Sequence, residues 1–355
     1  MTIVVMVRFM VLAMLTGWAV AACQTTRDRS AVDSATPLST ATTDCRTIQH
    51  ELGKTEICGQ PQRVVVLGPH LLESLIALGI QPVAFADHIP FHKGDYDNPG
   101  QQIPYLGSRI TQPLANVGAA FEPSIEAILR SQPDLILGPK GNVEQYATFS
   151  DIAPTLLLNW ENPEQNLRVI AQAVNRSEQA EQLLAKTEQK IVAAREAFAP
   201  LVATRSKLLL LISLQFPTLY IGDQTGLCSS LTEELGFELV SSLQSQQAEP
   251  NTPQAPLSLE TLPQLNEADS IILLGIKPDG LQQIDSIHAF EAHQLANIKQ
   301  AWEANAIAQS LDASQAGRVY FIPYYMCAGL PGPIGTELYL EELKQQLLGP
   351  NKNQI

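Results

Sequence analysis

At 355 residues the chain is long enough for two compact lobes, because single hydrophobic cores stop growing at roughly 250 to 300 residues. Hydrophobic residues make up 45% of it and charged residues 16%, a balance that excludes an intrinsically disordered protein. The formal net charge of −14, with no run of Lys and Arg, excludes a nucleic-acid backbone or an anionic lipid surface as the main partner.

The first residues read as an address. Arg8 precedes an apolar run from Phe9 to Val20, broken only by Thr16 and Gly17, that ends in Val20-Ala21-Ala22-Cys23. About a dozen apolar residues are too few to span a bilayer, so residues 1–22 read as a signal peptide. Small residues directly before Cys23 resemble the bacterial lipoprotein signal, in which that Cys is acylated; a plain secretory signal cleaved near Ala22 is the alternative. Residues 23–44, rich in Ser, Thr, Ala and Asp without apolar periodicity, read as a flexible tether. With Cys23 assigned to lipid, four of the five cysteines remain for an oxidising compartment. Cys45 and Cys58 flank a Gly53-Lys54 turn and are expected to pair across a hairpin. Cys228 and Cys327 each follow a predicted strand, and both a disulfide and two free buried thiols stay open there.

Short apolar runs then alternate with amphipathic segments, the pattern of parallel sheets flanked by helices. In the first half the strand-like runs are 63–67, 83–86, 135–137 and 155–158; in the second they are 207–213, 219–221, 270–274 and 318–322. The halves echo each other. Ser74-Leu75, Leu78-Gly79-Ile80 and Val83 recur as Ser230-Leu231, Leu235-Gly236-Phe237 and Val240, each a helix, a Gly stop and a strand. Ser124-Ile125-Glu126 followed by Asp134 recurs as Ser258-Leu259-Glu260 followed by Asp269. Two matches in the same order point to internal duplication. Between the halves, Asn162 to Phe198 has no Gly and many Ala, Gln, Glu and Leu residues, with a helix start at Ser177 and a stop at Pro200. The organisation expected is therefore a lobe over 45–160, a connecting helical segment over 161–199 and a second lobe over 200–355, α/β in both lobes, with a strut about 30 Å long between them.

Arg63 to Leu67, Glu73 to Val83, Pro123 to Ile128 and Gln132 to Ile136, with Gly317 to Pro323, Gly332-Pro333-Ile334 and Glu337-Leu338 at the far end, resemble the iron(III)-siderophore class of periplasmic substrate-binding proteins. The resemblance runs from about Cys45 to Leu348 and lies in the order of the motifs. It implies two Rossmann-like lobes joined by a single long helix, with the ligand in a cleft between them. It also implies a ferric siderophore of the citrate or hydroxamate kind as cargo, a two-fold membrane permease of an ABC importer as partner, and a monomer held at the outer face of a bacterial membrane by its lipid alone. Haem, cobalamin or a free metal ion is the alternative cargo within that class. No resident cofactor is implied; the iron is cargo, as chelated Fe3+. In proteins with these motifs a Glu at each position matching Glu126 and Glu260 docks into Arg pockets of the permease, which assigns docking to both.

In open α/β sheets ligands bind beyond the carboxyl ends of the strands. That rule gives Gly68, Pro69, Asp87, His88 and His92 with His70, Arg109, Lys140 and Trp160 in the first lobe, and Gln215, Asp223 and Met326 with Phe216, Lys277, Tyr324 and Tyr325 in the second; His70, Arg109, Lys140, Trp160, Phe216, Lys277, Tyr324 and Tyr325 are taken as the ligand contacts. Arg109, Lys140 and Lys277 suggest an anionic ligand, and the aromatic residues would cover a chelate's apolar parts; for any single loop Lys, plain solvation is the competing reading. His70, His88 and His92 could instead ligate a metal or a haem iron, although Pro90 keeps His88 and His92 off one helical face, so no metal site is expected. An enzyme is not expected. There is no Gly-x-Ser-x-Gly elbow, no His-Glu-x-x-His and no phosphate loop, and an acid/base pair of Glu126 and Glu260 is set aside because the duplication places them on separate lobes.

Overall fold

The computed structural model describes residues 44–89, 92–222, 226–241, 256–277, 279, 284 and 286–349. Residues 1–43, which include the segments read as signal peptide and tether and the Cys23 expected to carry lipid, lie outside the described residues.

The described chain begins with a hairpin, β1 (Cys45–His50) and β2 (Gly53–Cys58), in which Cys45 stands opposite Cys58 and the two form a disulfide. The turn falls on Glu51 and Leu52, ahead of the expected Gly53-Lys54, because Gly53, at φ +123°, is needed to re-enter the ladder opposite His50. Ile48 and Ile57 give the hairpin a buried face, and Arg46 donates to the carbonyls of Gln172, Ala173 and Gly59.

The first sheet has six strands in the order β6-β5-β4-β3-β7-β8. Five are parallel: β3 (Val64–Leu67), β4 (Ala84–Asp87), β5 (Ala115–Ala119), β7 (Leu135–Pro139) and β8 (Thr155–Leu158). The short β6 (Glu122–Pro123) folds back antiparallel on β5. Helices α1 (Pro69–Ala77), α2 (Pro99–Gln102), α3 (Ile125–Arg130), α4 (Tyr146–Ile152) and α5 (Pro163–Ala173) complete this lobe. All residues of β3, β4, β7 and β8 are buried, which is why these strands read as unbroken apolar runs rather than as alternation.

The second sheet runs β10-β9-β12-β13, with β11 beside β9. Here β9 (Lys207–Gln215), β11 (Glu238–Leu239), β12 (Ser270–Gly275) and β13 (Val319–Pro323) are parallel, and β10 (Thr218–Ile221) is antiparallel to β9. Its helices are α7 (Leu227–Glu234), α8 (Ile287–Ala304), α9 (Ala306–Gln309), α10 (Asp312–Gln315) and α11 (Pro333–Leu343). Between the lobes runs α6 (Ser177–Val202), 26 residues and so about 39 Å long. The expected connecting segment is thus two helices. Asn175, at φ +54°, ends α5 in the left-handed conformation that Asn tolerates, and α6 starts at Ser177 as expected. Pro200 does not stop α6; it falls in the last turn, where the amide it lacks costs one bond near a fraying end, and the helix continues to Val202.

The duplication is visible in geometry. Asp134 accepts the amides of Gln62 and Arg63 at 2.7 and 2.8 Å and returns its own amide to the Arg63 carbonyl at 3.0 Å. Asp269 does the same for Lys207, at 3.0 and 2.8 Å. Gly79 and Gly236 both take positive φ, +76° and +101°, to end α1 and α7. Ser124 and Ser258 each hold the N-terminal position of a short helix and each donate a hydroxyl to the Glu two residues on, Glu126 at 3.2 Å and Glu260 at 2.9 Å; both glutamates are exposed.

One apolar core runs through both lobes, from Val64, Leu71 and Leu75 by way of Leu167 and Phe198 to Leu208, Leu274 and Tyr339. Each lobe also has an outer core of its own on the far face of its sheet. The pairing left open in the sequence is made: Cys228 in the first turn of α7 is bonded to Cys327 in a π-helical turn, Tyr325–Gly329, with Cα atoms 5.1 Å apart.

Candidate functional site

All five parallel strands of the first sheet deliver a residue to one place. β3 ends in Gly68 and His70, β4 in His88, β5 in Phe121, β7 in Gly141 and β8 in Trp160. The rings pack as a wall. His70 lies 4.3 Å from Trp160 and 5.3 Å from His88 between centroids; His88 lies 4.6 Å from Trp160 and stacks on Phe121 at 5.1 Å and 15°. Two glycines make the approach possible. A Cβ on Gly68 would stand 2.9 Å from both His70 Cε1 and His88 Nε2, and one on Gly141 would stand 2.8 Å from Phe121 Cε1. His70 is buried, whereas Phe121 remains 46% exposed.

The wall is uncharged. Burial, aided by the neighbouring His88, holds the His70 imidazole well below its ordinary value, and burial takes His88 down to about 4. Neither His70 nitrogen has a partner, nor has His88 Nε2. The two imidazole planes are only 22° apart, so their in-plane lone pairs run side by side and do not converge on one ion. His92 stands elsewhere, bonded to the Asp95 carbonyl and to Gln102 and packed on Tyr96. Among the described residues the one cluster with metal-ligand spacing is Cys45, Glu56 and Cys58, whose two thiols are spent in the disulfide.

Trp160 also lines a cavity of about 990 Å³ between the lobes. Tyr324, Ala328 and Pro331 face it from the second lobe, and Leu184 and Glu188 of α6 close one side. Its charged residues are five glutamates, at positions 161, 164, 181, 188 and 234, and one Arg168, which is already paired with Glu164 and Glu181 at 3.4 and 2.9 Å. Glu234 is pushed up by burial and by Glu188.

Of the residues given by the strand-end rule, His70, His88, Trp160 and Tyr324 stand at the wall or the cavity and Asp223 lies outside the described residues; the rule missed Phe121, whose signal in the sequence was an aromatic residue directly after a small-residue strand. The other selections lie differently. Lys140 pairs with Glu51 of the hairpin at 3.4 Å. Arg109 ends a 3-10 turn, exposed, with Glu73 and Glu337 as its charged surroundings. The backbone of Lys277 is held at both ends by the Gln294 amide, at 2.8 and 3.1 Å. Phe216 packs on the outer core of the second lobe. Tyr325 is buried rather than lining: the π-helical turn rotates it inward, against Tyr105 and Phe290, where its hydroxyl donates to Asp87 Oδ2 at 2.9 Å.

That last bond joins the lobes, and a second does the same. Glu73 of α1 is fully buried and accepts the amides of Gly332 and Gly335, at 2.9 and 2.5 Å, from the start of α11. Burial raises its carboxyl to about 7 against the pull of those amides and of Ile334, and burial raises Asp87 to about 6.

Comparisons with known proteins agree with this architecture. A Bacillus subtilis protein, YhfQ, provisionally assigned as an ABC transporter substrate-binding lipoprotein, is 27% identical over 86% of this chain and 89% of its own length. The Fe(3+)-citrate-binding protein YfmC of the same organism is 34% identical over 42% of this chain and 46% of its own length. Among solved structures, Staphylococcus aureus SirA complexed with staphyloferrin B superimposes with a TM-score of 0.67 at 23% identity, covering 85% of this chain and 98% of that one, and so shares the fold. Residues 64–325 match the family of periplasmic binding proteins, which bind substrates for transport and are not enzymes, and the chain belongs to that family.

Proposed function

We propose that the protein captures a ferric siderophore on the outer side of a bacterial membrane and hands it to the permease of an ABC importer. The observation that carries the reading is the convergence of five strand ends on one neutral ring wall beside an inter-lobe cavity, the place where open α/β sheets take ligands. Relatives named for Fe(3+)-citrate and for Fe(3+) dicitrate binding support an iron chelate as cargo. Trp160, His70 and Tyr324 contact it in this reading. Titrating purified protein with ferric chelates and following tryptophan fluorescence tests the reading, together with mass spectrometry and visible absorbance of whatever co-purifies. Saturable quenching is expected; absence of binding by every ferric chelate tried refutes it.

The same proposal gives Glu126 and Glu260 the docking role. Both are exposed, and both hang from the same Ser-x-Glu turn in duplicated lobes, an arrangement that suits a partner with two-fold symmetry. Changing both to Ala leaves chelate affinity unchanged and lowers uptake into cells; uptake at the wild-type level removes the assignment. A monomer anchored through acylated Cys23 completes the reading, and a Cys23→Ser variant that still takes up labelled fatty acid would remove the anchor.

A further inference from the structure

The wall has features that a lining for citrate or for an aliphatic hydroxamate does not need. It is built from four rings, and its outermost ring, Phe121, is 46% exposed, while His70 at the back of the stack is buried. Phe121 is seated rather than loose: it stacks on His88 at 15°, and its edge closes on Gly141, where a methyl group would collide at 2.8 Å. Behind it, His70 and His88 carry three buried nitrogens without partners. A buried polar group left unpaired costs roughly 1 to 3 kcal/mol, and Leu or Phe at either position would fill the space without that cost. Among the described residues no cationic side chain stacks with these rings, and Lys140, the neighbour of Gly141 in the chain, is paired with Glu51. What the wall offers a ligand is flat, uncharged, polarisable surface with ring nitrogens behind it.

We propose that this wall selects an iron chelate whose own ligand carries planar conjugated rings, which lie on Phe121 and Trp160, in preference to aliphatic chelates. The inference rests on the siderophore reading of the same site and names the chemical class. Offset stacking of a ligand ring on an aromatic side chain supplies attraction beyond area burial, and it is unavailable to a citrate or a linear hydroxamate. Burial keeps both imidazoles neutral near neutral pH, so the stack carries no charge there. Two sources share this chemistry: a chelator with catechol or phenol rings, and a porphyrin.

The test compares four probes on the full protein by tryptophan fluorescence and calorimetry: a ferric catecholate complex, ferric protoporphyrin, a ferric linear trihydroxamate and ferric citrate. The ring-bearing class is expected to bind at least about tenfold more tightly than either aliphatic chelate. The first two arms then separate the sources, because a porphyrin bound at the wall shifts its Soret band and a catecholate shifts its charge-transfer band. Phe121→Leu, at an exposed position where folding is not at stake, weakens the ring-bearing probe by about tenfold and alters the aliphatic probes by less than about threefold. Gly141→Ala, which displaces the ring from its seat, moves affinity in the same direction. Equal or tighter binding of the trihydroxamate or citrate overturns the inference and leaves the siderophore reading standing, as does a Phe121→Leu variant with unchanged selectivity. Failure of all four probes to bind removes both.

Discussion

Replacing Glu73 by Gln separates two forces that meet at the junction of the lobes. The wild-type carboxyl is fully buried and receives the amides of Gly332 and Gly335 at the start of α11. Gln keeps the shape but turns an NH2 group toward one of those donors, leaving a buried amide unpaired at a cost of about 1 to 3 kcal/mol. The carboxyl also titrates, from about 4.5 in the unfolded chain to about 7 in the folded one, mainly because burial disfavours the charge. Between those values the folded protein holds a proton that the unfolded chain has released. The resulting stability is complete below pH 4.5 and is lost as pH rises through 7, by roughly 3 kcal/mol in all at about 1.4 kcal/mol per pH unit. Glu73→Gln lacks this term. Urea unfolding of both proteins at intervals from pH 5 to pH 8 should therefore show the variant less stable by about 1 to 3 kcal/mol at pH 5, with the gap closing toward pH 8. A gap that stays constant, or widens with pH, refutes the reasoning, because it would mean that the three amides and the helix terminus hold the carboxylate ionised at neutral pH.

Other outcomes follow from the same contacts. Tyr325→Phe removes the donor to Asp87 and should cost about 1 to 3 kcal/mol in denaturant unfolding, whereas a value near zero would mean that Asp87 finds another partner. Opening the Cys228 and Cys327 bond, which closes 99 residues, should destabilise by about 4 to 5 kcal/mol, against about 3 for Cys45 and Cys58, which close 13; thermal melts of the two double Ala variants rank them. Gly68→Ala forces a Cβ between His70 and His88 at φ +119° and should lower stability by at least about 2 kcal/mol, with tryptophan emission altered through Trp160. Lys140→Ala breaks an exposed pair with Glu51 and should move stability by less than about 1 kcal/mol, measured by the same melts.

The sheets were legible because their central strands are buried on both faces, so 64–67, 135–139 and 270–275 stand out as apolar runs. β5 was not. Ala115 to Ala119 is half-buried, carries Asn and Gly, and pairs with β4 across a register shift, so no period of two or run of bulk announces it. Missing β5 also hid Phe121, which that strand positions. Trp160 and His70 were found because each follows its strand within two or three residues, where direction is fixed by the strand itself. Tyr325 and Lys140 went the other way for different reasons. A π-helical turn reverses which of two adjacent tyrosines faces the cleft, and nothing in the local pattern encodes that turn. Lys140 is claimed by a hairpin residue remote in sequence, a pairing that only the packed fold reveals. The basic residues that suggested an anionic ligand thus stand apart from the cavity, whose own charge is acidic.

The single passage of the chain between the lobes, in α6, means that each sheet is assembled from one continuous stretch of sequence. A chain emerging with its N-terminus first can therefore complete the hairpin and the six-stranded sheet before β9 has appeared. It cannot cover Glu73, whose amide partners arrive with Gly332 and Gly335, close to the end. Until then the carboxylate faces water and is ionised, at no cost in desolvation. Docking of α11 removes that water and, below about pH 7, draws in a proton. Burying Glu73 under α11 is thus coupled to the uptake of a hydrogen ion, and acidity favours the seated helix.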